Sequence, residues 1–158
     1  MTNSPGFAEL VGPDSILLDL SVASKAELFE QLALFAADAS GVAATTILER
    51  VRERETLGPT GFGQGAAIPH ARLAGLANVI AIVVRLVRGV DYGALDGEAV
   101  DAIVLLLSPE GAGADHLKAL AKVSRALRDP ATLAAMRAAG DAAAMRQVIG
   151  GALVGQPA

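Results

Sequence analysis

The sequence predicts an α/β protein in which a single mixed β-sheet is flanked by helices. Two observations lead to this prediction. Segments rich in valine, isoleucine and leucine alternate along the chain with segments whose apolar residues recur at helical spacing. In addition, the link between the last two apolar segments is short and rich in glycine. Such a link cannot hold a crossover helix, so these two strands should pair antiparallel.

The N-terminal half is predicted to contain one strand and two helices. Residues 15–22 form the strand. A capping-box pattern, a serine followed three residues later by Glu27, opens a helix over about 24–40. Thr46 repeats the pattern at the start of a second helix that runs through Glu55. Most of the charged side chains in this second helix are expected to lie on a solvated face.

The C-terminal half is predicted to hold the antiparallel strand pair and three helices. Asp129 and Asp141 are expected to cap the last two helices, because aspartate side chains accept hydrogen bonds from the first free N–H groups. The predicted strands cover 78–87 and 100–107, and the predicted helices cover 114–128, 130–139 and 142–149. This order gives three regions: an N-terminal extension over 1–14, one domain over 15–149 and a mobile tail over 150–158.

Composition excludes several classes of function. A formal net charge of −4, 3% aromatic residues and no tryptophan do not fit a nucleic-acid-binding surface, which needs basic and aromatic side chains. The absence of cysteine excludes disulfides, zinc ribbons and thiol nucleophiles. The longest apolar runs, 79–84 and 102–107, are too short to cross a bilayer. No secretory signal begins the chain, so a cytoplasmic location is expected.

The stretch 61–70 is the candidate site, because glycine-rich backbone there leads through an apolar segment to His70. Glycines let main-chain N–H groups approach an anion, and Pro69 fixes the approach to the imidazole. An imidazole near its ordinary pKa is a competent nucleophile at neutral pH. The residues alone leave a second interpretation open, namely a histidine that merely satisfies a turn.

The other histidine, His116, falls in the first turn of the predicted helix over 114–128. Free N–H groups and the positive end of the helix dipole favour an anion at this position. Its alternative interpretation is an exposed first-turn residue without a role in chemistry. Asp115 beside it makes the position less attractive to an anion.

These residues carry a resemblance to a known family. The motif resembles the active-histidine motif of the fructose/mannitol/nitrogen-type IIA domains of the bacterial phosphoenolpyruvate-dependent phosphotransferase system, and it reads Thr60-Gly61-Phe62-Gly63-Gln64-Gly65-Ala66-Ala67-Ile68-Pro69-His70. Arg54 stands where that family places an arginine near the phosphoryl group, and His116 stands where it places a second histidine. The order of elements from Ser15 to about Ile149 is similar as well.

The resemblance implies the mannitol/fructose-like IIA fold and a phosphotransferase that works through a phosphohistidine. His70 would receive the phosphoryl group on Nε2 from a phosphohistidine carrier protein of the HPr type. Arg54, His116 and the N–H groups of the glycine segment would stabilise the transferred group, and no bound metal or cofactor would be required. The glycine segment and the first turn of the 114–128 helix would border a shallow apolar surface for a partner protein, with Phe62 exposed on it.

Three functions remain open at this stage. The first is a nitrogen-type regulatory protein that signals its phosphorylation state by binding a target protein. The second is a sugar-specific IIA component that passes phosphate to a separate IIB protein, since the chain has no cysteine of its own. The third is a binding module that keeps the fold without being phosphorylated. None of the three involves nucleic acid or insertion into a membrane.

Overall fold

The computed structural model describes residues 6–154 as six strands and six helices around a single sheet. The four final residues of the predicted tail, 155–158, lie outside the described residues, as do residues 1–5. The strands are β1 (Val11–Leu20), β2 (Gly61–Gly63), β3 (Ala66–Ala67), β4 (His70–Leu73), β5 (Ile80–Val90) and β6 (Val100–Pro109). The helices are α1 (Phe7–Leu10), α2 (Lys25–Ser40), α3 (Ala44–Thr56), α4 (Ala114–Arg128), α5 (Pro130–Ala138) and α6 (Ala142–Val154).

The sheet is mixed, as the sequence predicts. β5 and β6 pair antiparallel along most of their length, and β1 lies parallel to the outer side of β5. On its other side β6 pairs in parallel first with β3 and then with β4, while β2 pairs antiparallel with β3. β6 is therefore central, and the start of α4 follows directly from its C-terminal end.

Most side chains of β5 and β6 are buried, on both faces of the sheet. Ile82 and Leu105 belong to the apolar cluster that α2 and α3 cover. Val83 and Val104 belong to the cluster on the other face, which α1, α4, α5 and α6 cover. Strands covered on both faces have continuous rather than alternating apolar sequences, which is why the sequence identifies these two so readily.

Most helix ends follow the predicted caps. Ser24 Oγ accepts a hydrogen bond from the Glu27 N–H at 3.1 Å, and Asp129 and Asp141 cap α5 and α6. The second helix was predicted to start at Thr46, but α3 begins two residues earlier, at Ala44, and has no side-chain cap. α6 continues to Val154, past the predicted end at Ile149.

The stretch before His70 folds into a tight hairpin that the sequence does not predict. Gln64 and Gly65 have φ values of 60° and 77° and form the two-residue turn between β2 and β3, where a left-handed pair of residues suits the twist of the strands. A Cβ at Gly61 would lie 2.9 Å from the Tyr92 ring. The glycines therefore allow the hairpin to pack closely on its neighbours, and β4 follows it with His70 as its first residue.

Residues before the first predicted strand also pack into the core. The short helix α1 buries Phe7 and Leu10 in the same cluster as Ile149 of α6. Among the described helices, none has both the length and the apolar character needed to cross a bilayer.

Candidate functional site

The structure brings the three predicted site residues together at one cleft of about 640 Å³. Arg54 lies in the last turn of α3, His70 begins β4, and His116 lies in the first turn of α4. β4 runs parallel to the end of β6, and α4 starts just after β6. The two histidines are therefore neighbours in space although they lie 46 positions apart in the sequence. α3 packs against β4 and brings Arg54 to the same place.

The hydrogen bonds of His70 define its tautomer. Its Nδ1 lies 2.8 Å from the Ile68 carbonyl oxygen, and a carbonyl only accepts hydrogen bonds, so Nδ1 carries the proton. Its Nε2 accepts a hydrogen bond from Arg54 Nε at 3.1 Å. Burial lowers the pKa of His70 below 6.5, Arg54 and Arg72 lower it further, and the Ile68 carbonyl and Glu55 act in the opposite direction. At neutral pH the ring is uncharged with its lone pair on Nε2.

Arg54 is held at two points. Besides its hydrogen bond to His70, its Nη1 donates to the Gly58 carbonyl oxygen at 3.1 Å. The planar guanidinium is thereby fixed beside Nε2 of His70, while it still has donors that are not used by either contact. This is the arrangement of a group that can bind an anion at Nε2.

A buried polar network lies behind Arg54 and was not predicted. Glu55 accepts hydrogen bonds from Lys25 Nζ at 2.9 Å, from the Thr60 N–H at 2.9 Å and from Thr60 Oγ1 at 2.6 Å. Tyr92 shares its hydroxyl with Thr60, and burial raises the pKa of Tyr92. The expectation that most charged side chains of α3 are solvated is confirmed, and Arg54 and Glu55 are the half-buried exceptions.

His116 is buried, with 5% of its surface exposed. The ring centroids of His116 and His70 are 5.6 Å apart. Its Nδ1 lies 2.6 Å from Ser108 Oγ, a contact that the sequence did not indicate. Burial, together with the nearby His70 and Arg72, lowers the pKa of His116 to about 4. The alternative of an exposed first-turn residue is therefore wrong, and the ring is neutral at physiological pH.

Cationic and apolar side chains form the rim of the cleft. Arg72 lies two residues after His70 in β4, so it points to the same side of the strand; the even spacing is the signal that could have identified it. Arg50 joins it from α3. Leu57 and Leu117 border the same cleft with 83% and 62% of their surfaces exposed. The cleft thus combines the positive charges of Arg50, Arg54 and Arg72 with exposed apolar side chains at its rim.

Two expectations about the glycine segment are wrong. Phe62 is half-buried, packs on the cluster beneath α4 and lies 4.5 Å below the Arg128 guanidinium, because β2 is paired in the sheet and not a free loop. Gly61, Gly63 and Gly65 do not line the cleft around His70. Their role is to build the hairpin that places β4, and the exposed apolar residues at the site are Leu57 and Leu117.

Comparison with known proteins identifies the family. Residues 9–151 match the model of the family described as "Phosphoenolpyruvate-dependent sugar phosphotransferase system, EIIA 2". The chain belongs to this family. A nitrogen regulatory protein of Bradyrhizobium diazoefficiens is 44% identical over 143 residues, which cover 90% of this chain and 94% of that protein. A nitrogen regulatory protein of Pseudomonas aeruginosa is 38% identical over 142 residues, covering 89% and 92%.

A solved structure agrees with the sequence relatives. The nitrogen regulatory protein IIA-Ntr from Neisseria meningitidis superimposes with a TM-score of 0.86 at 33% identity, covering 90% of this chain and 97% of that one. The resemblance inferred from the motif is therefore confirmed, as is the fold class. Members of the EIIA type-2 family take part in phosphotransfer.

Proposed function

We propose that this EIIA type-2 protein carries a phosphoryl group on Nε2 of His70, accepted from a phosphohistidine carrier protein of the HPr type, and that it acts mainly as a nitrogen-type regulator in the cytoplasm. The observation that carries the proposal is the tautomer of His70. With Nδ1–H bound to the Ile68 carbonyl, the nucleophilic lone pair is on Nε2, beside Arg54.

The phosphoryl transfer can be written with every bond and proton accounted for, and it requires no metal or cofactor. The Nε2 lone pair of His70 attacks phosphorus in the donor's phosphohistidine, a new N–P bond forms, and the donor's N–P bond breaks with its electron pair left on the donor nitrogen. His70 keeps its Nδ1 proton, which stays hydrogen-bonded to the Ile68 carbonyl oxygen, so the phosphorylated ring is cationic and offsets part of the charge of the bound group. No proton needs to leave the site for the group to move.

The surroundings favour the transferred group electrostatically. The phosphoryl group carries a charge approaching about −2, and phosphoryl transfer is catalysed mainly by positioning and by preorganised positive charge. Arg54 is fixed at the acceptor nitrogen, Arg72 lines the cleft, and the neutral His116 offers a ring N–H instead of a positive charge of its own. Because these groups are in place before transfer, little reorganisation is needed.

The regulatory role is supported by the relatives and by the rim of the cleft. Two sequence relatives that match about nine-tenths of this chain, at 44% and 38% identity, are nitrogen regulatory proteins. Leu57 and Leu117 offer a partner protein an exposed apolar contact at the cleft that contains His70. A dianion placed in that cleft would have to be desolvated on binding, so a target that brings no cation should prefer the unphosphorylated form.

A second candidate is a sugar-specific IIA component, because the matching family model is that of the sugar phosphotransferase system. In that case phosphate would move on to a separate IIB protein. The two functions share the His70 chemistry and differ in what happens to the phosphoryl group afterwards.

Phosphorylation by the upstream cascade tests the shared chemistry. The purified protein is incubated with phosphoenolpyruvate, enzyme I and an HPr-type carrier, and the intact mass is recorded under non-acidic conditions. We expect the wild type and His116→Gln to gain one phosphoryl group, His116→Gln more slowly, and His70→Ala to gain none. Labelling of His70→Ala at the wild-type level would refute His70 as the acceptor.

The fate of the phosphoryl group separates regulation from transport. Phosphorylated protein is mixed with candidate IIB proteins and with a regulatory target once one is identified. Retention of phosphate, with calorimetric affinity for the target that differs between the two forms, is expected for a regulator. Rapid transfer to a IIB cysteine together with equal target affinities would favour the sugar-specific function.

A further inference from the structure

We infer that Ser108 is a positioning residue whose buried hydroxyl donates to Nδ1 of His116 and so fixes His116 in the tautomer that carries its proton on Nε2. Ser108 lies next to last in β6, on the same side as Leu106, the side that α4 covers. The inference rests on the proposed function for one step, namely that the Nε2–H group of His116 donates to a phosphoryl group on His70.

The direction of the Ser108–His116 hydrogen bond follows from counting donors. Ser108 has no exposed surface, and within the part of the chain that the structure describes its Oγ has one hydrogen-bond partner, Nδ1 at 2.6 Å. If Nδ1 carried the proton, the serine O–H would be buried without an acceptor, which costs free energy. If the hydroxyl donates, its proton is satisfied and Nδ1 is the acceptor. The second arrangement leaves only oxygen lone pairs unpaired, a smaller penalty.

The other ring nitrogen of His116 then carries the hydrogen. Within the described residues, no fully buried side-chain nitrogen or oxygen lacks a hydrogen-bond partner. Among those residues Nε2 of His116 has no hydrogen-bond partner, so it must be the accessible part of this largely buried ring. His116 lines the cleft that contains His70, and Nε2–H is therefore directed at that cleft.

The two histidines thus have opposite tautomers, and the difference matters for an anion. His70 carries its proton on Nδ1 and presents a lone pair on Nε2. His116 carries its proton on Nε2 and presents a donor. A phosphoryl oxygen on His70 would receive a hydrogen bond from His116 in this tautomer, whereas the opposite tautomer would turn a lone pair towards the dianion. Because the pKa of His116 is lowered to about 4, its ring is neutral and carries only one N–H group. The tautomer therefore decides whether Nε2 can donate a hydrogen bond to the phosphoryl group.

Nitrogen-15 NMR measures the tautomers directly. Long-range proton–nitrogen correlation spectra of the uniformly labelled full chain at pH 7.5 contain only two imidazoles, which His116→Gln assigns. We expect Nδ1 protonation for His70 and Nε2 protonation for His116. Ser108→Ala should shift His116 towards a mixture of tautomers, and Ser108→Thr, which keeps the hydroxyl, should restore Nε2 protonation. Ser124→Ala removes a hydroxyl from α4 that binds Arg128 and should leave both rings unchanged.

Phosphoryl transfer measures the consequence. Ser108→Ala should slow transfer to His70 by about three- to tenfold, the factor expected for one neutral hydrogen bond, with recovery in Ser108→Thr and no change in Ser124→Ala. Circular dichroism and denaturant unfolding show whether the variants are folded; a folded Ser108→Ala with slower transfer is the expected outcome.

The outcomes separate this inference from the proposed function. Nδ1 protonation of His116 in the wild type, or an unchanged His116 tautomer in Ser108→Ala, would overturn the role of Ser108 even if His70 is phosphorylated. A changed tautomer with wild-type transfer rates would overturn the step in which Nε2–H assists the phosphoryl group. If the wild type is not phosphorylated at all, the proposed function fails, while the spectra still decide the tautomer.

Discussion

Replacing Arg54 by alanine should slow phosphoryl transfer far more than it weakens the fold. Arg54 Nε lies 3.1 Å from His70 Nε2, so the substitution removes the donor that is closest to the reacting nitrogen. Loss of one preorganised donor at such a site raises the barrier by about 2.7–4 kcal/mol, or roughly a hundred- to a thousandfold in rate. The hydrogen bond to the Gly58 carbonyl contributes about 0.5–1.5 kcal/mol to stability.

Single-turnover transfer from a phosphorylated carrier gives the rate, and urea unfolding gives the stability. The matched control is Arg52→Ala on the same helix, whose side chain is half-exposed and lies 3.9 Å from Glu30; an exposed pair of this kind contributes little. Arg54→Lys retains the charge without the planar fork and should give an intermediate rate. In Arg54→Ala the pKa of His70 should rise, because Arg54 lowers it in the wild type.

Two results would refute this reasoning. A transfer rate for Arg54→Ala within threefold of the Arg52→Ala rate would show that the guanidinium does not act on the phosphoryl group. A loss of stability large enough to unfold the protein, with normal transfer in the folded fraction, would assign Arg54 to the fold instead.

Further predictions concern stability. The pKa of His116 is about 4 in the folded protein, against 6.5 for an unperturbed histidine. Its contribution to the free energy of unfolding, on the order of 3 kcal/mol, is therefore complete above pH 6.5 and is lost as the pH falls towards 4. In urea unfolding, the stability of His116→Gln should depend less on pH than that of the wild type, and an equal dependence would contradict the lowered pKa. Glu55→Gln should destabilise the fold by roughly 2–4 kcal/mol, because the ammonium group of Lys25 then lacks the negative charge that it pairs with in the mostly buried ion pair. Glu53 is exposed, so Glu53→Gln should unfold at the same urea concentration as the wild type. Gly61→Ala should lower the free energy of unfolding by about 1–3 kcal/mol, because the added Cβ would lie 2.9 Å from a ring carbon of the buried Tyr92. Gly111 has open space around it, so Gly111→Ala should leave the melting temperature unchanged. Equal melting temperatures for the two variants would count against the close packing of the hairpin.

The elements that the sequence predicts well are those with a local cause. The apolar runs of β5 and β6 reflect burial on both faces, and the caps at Ser24, Asp129 and Asp141 act within three residues of themselves. The antiparallel pairing of β5 with β6 follows from the shortness of the link between them. In each case the interacting residues are close along the chain, so their spacing carries the information.

The predictions that failed depend on partners far away in sequence. The run containing Gly61 was expected to bind an anion, but its conformation is decided by pairing of β3 with β6 and by contact with Tyr92. Phe62 was expected to be exposed, but the pairing of β2 with β3 places it beneath Arg128. Short strands of two to four residues leave no periodic pattern, so only their neighbours in the sheet define them.

The sequence by itself determined the family resemblance, the order of the main elements and the identity of Arg54, His70 and His116 as candidate site residues, because a motif and its spacing are properties of the chain. The tertiary structure alone decided which nitrogen of His70 carries no proton, which side chain contacts Nδ1 of His116 and which cations surround the cleft. The first two answers come from the Ile68 carbonyl at 2.8 Å and Ser108 Oγ at 2.6 Å, and the third comes from the packing of α3 and β4 around the cleft. Hydrogen bonds act over about 3 Å in space, and a distance of that kind between separate elements exists only after the sheet and helices have packed.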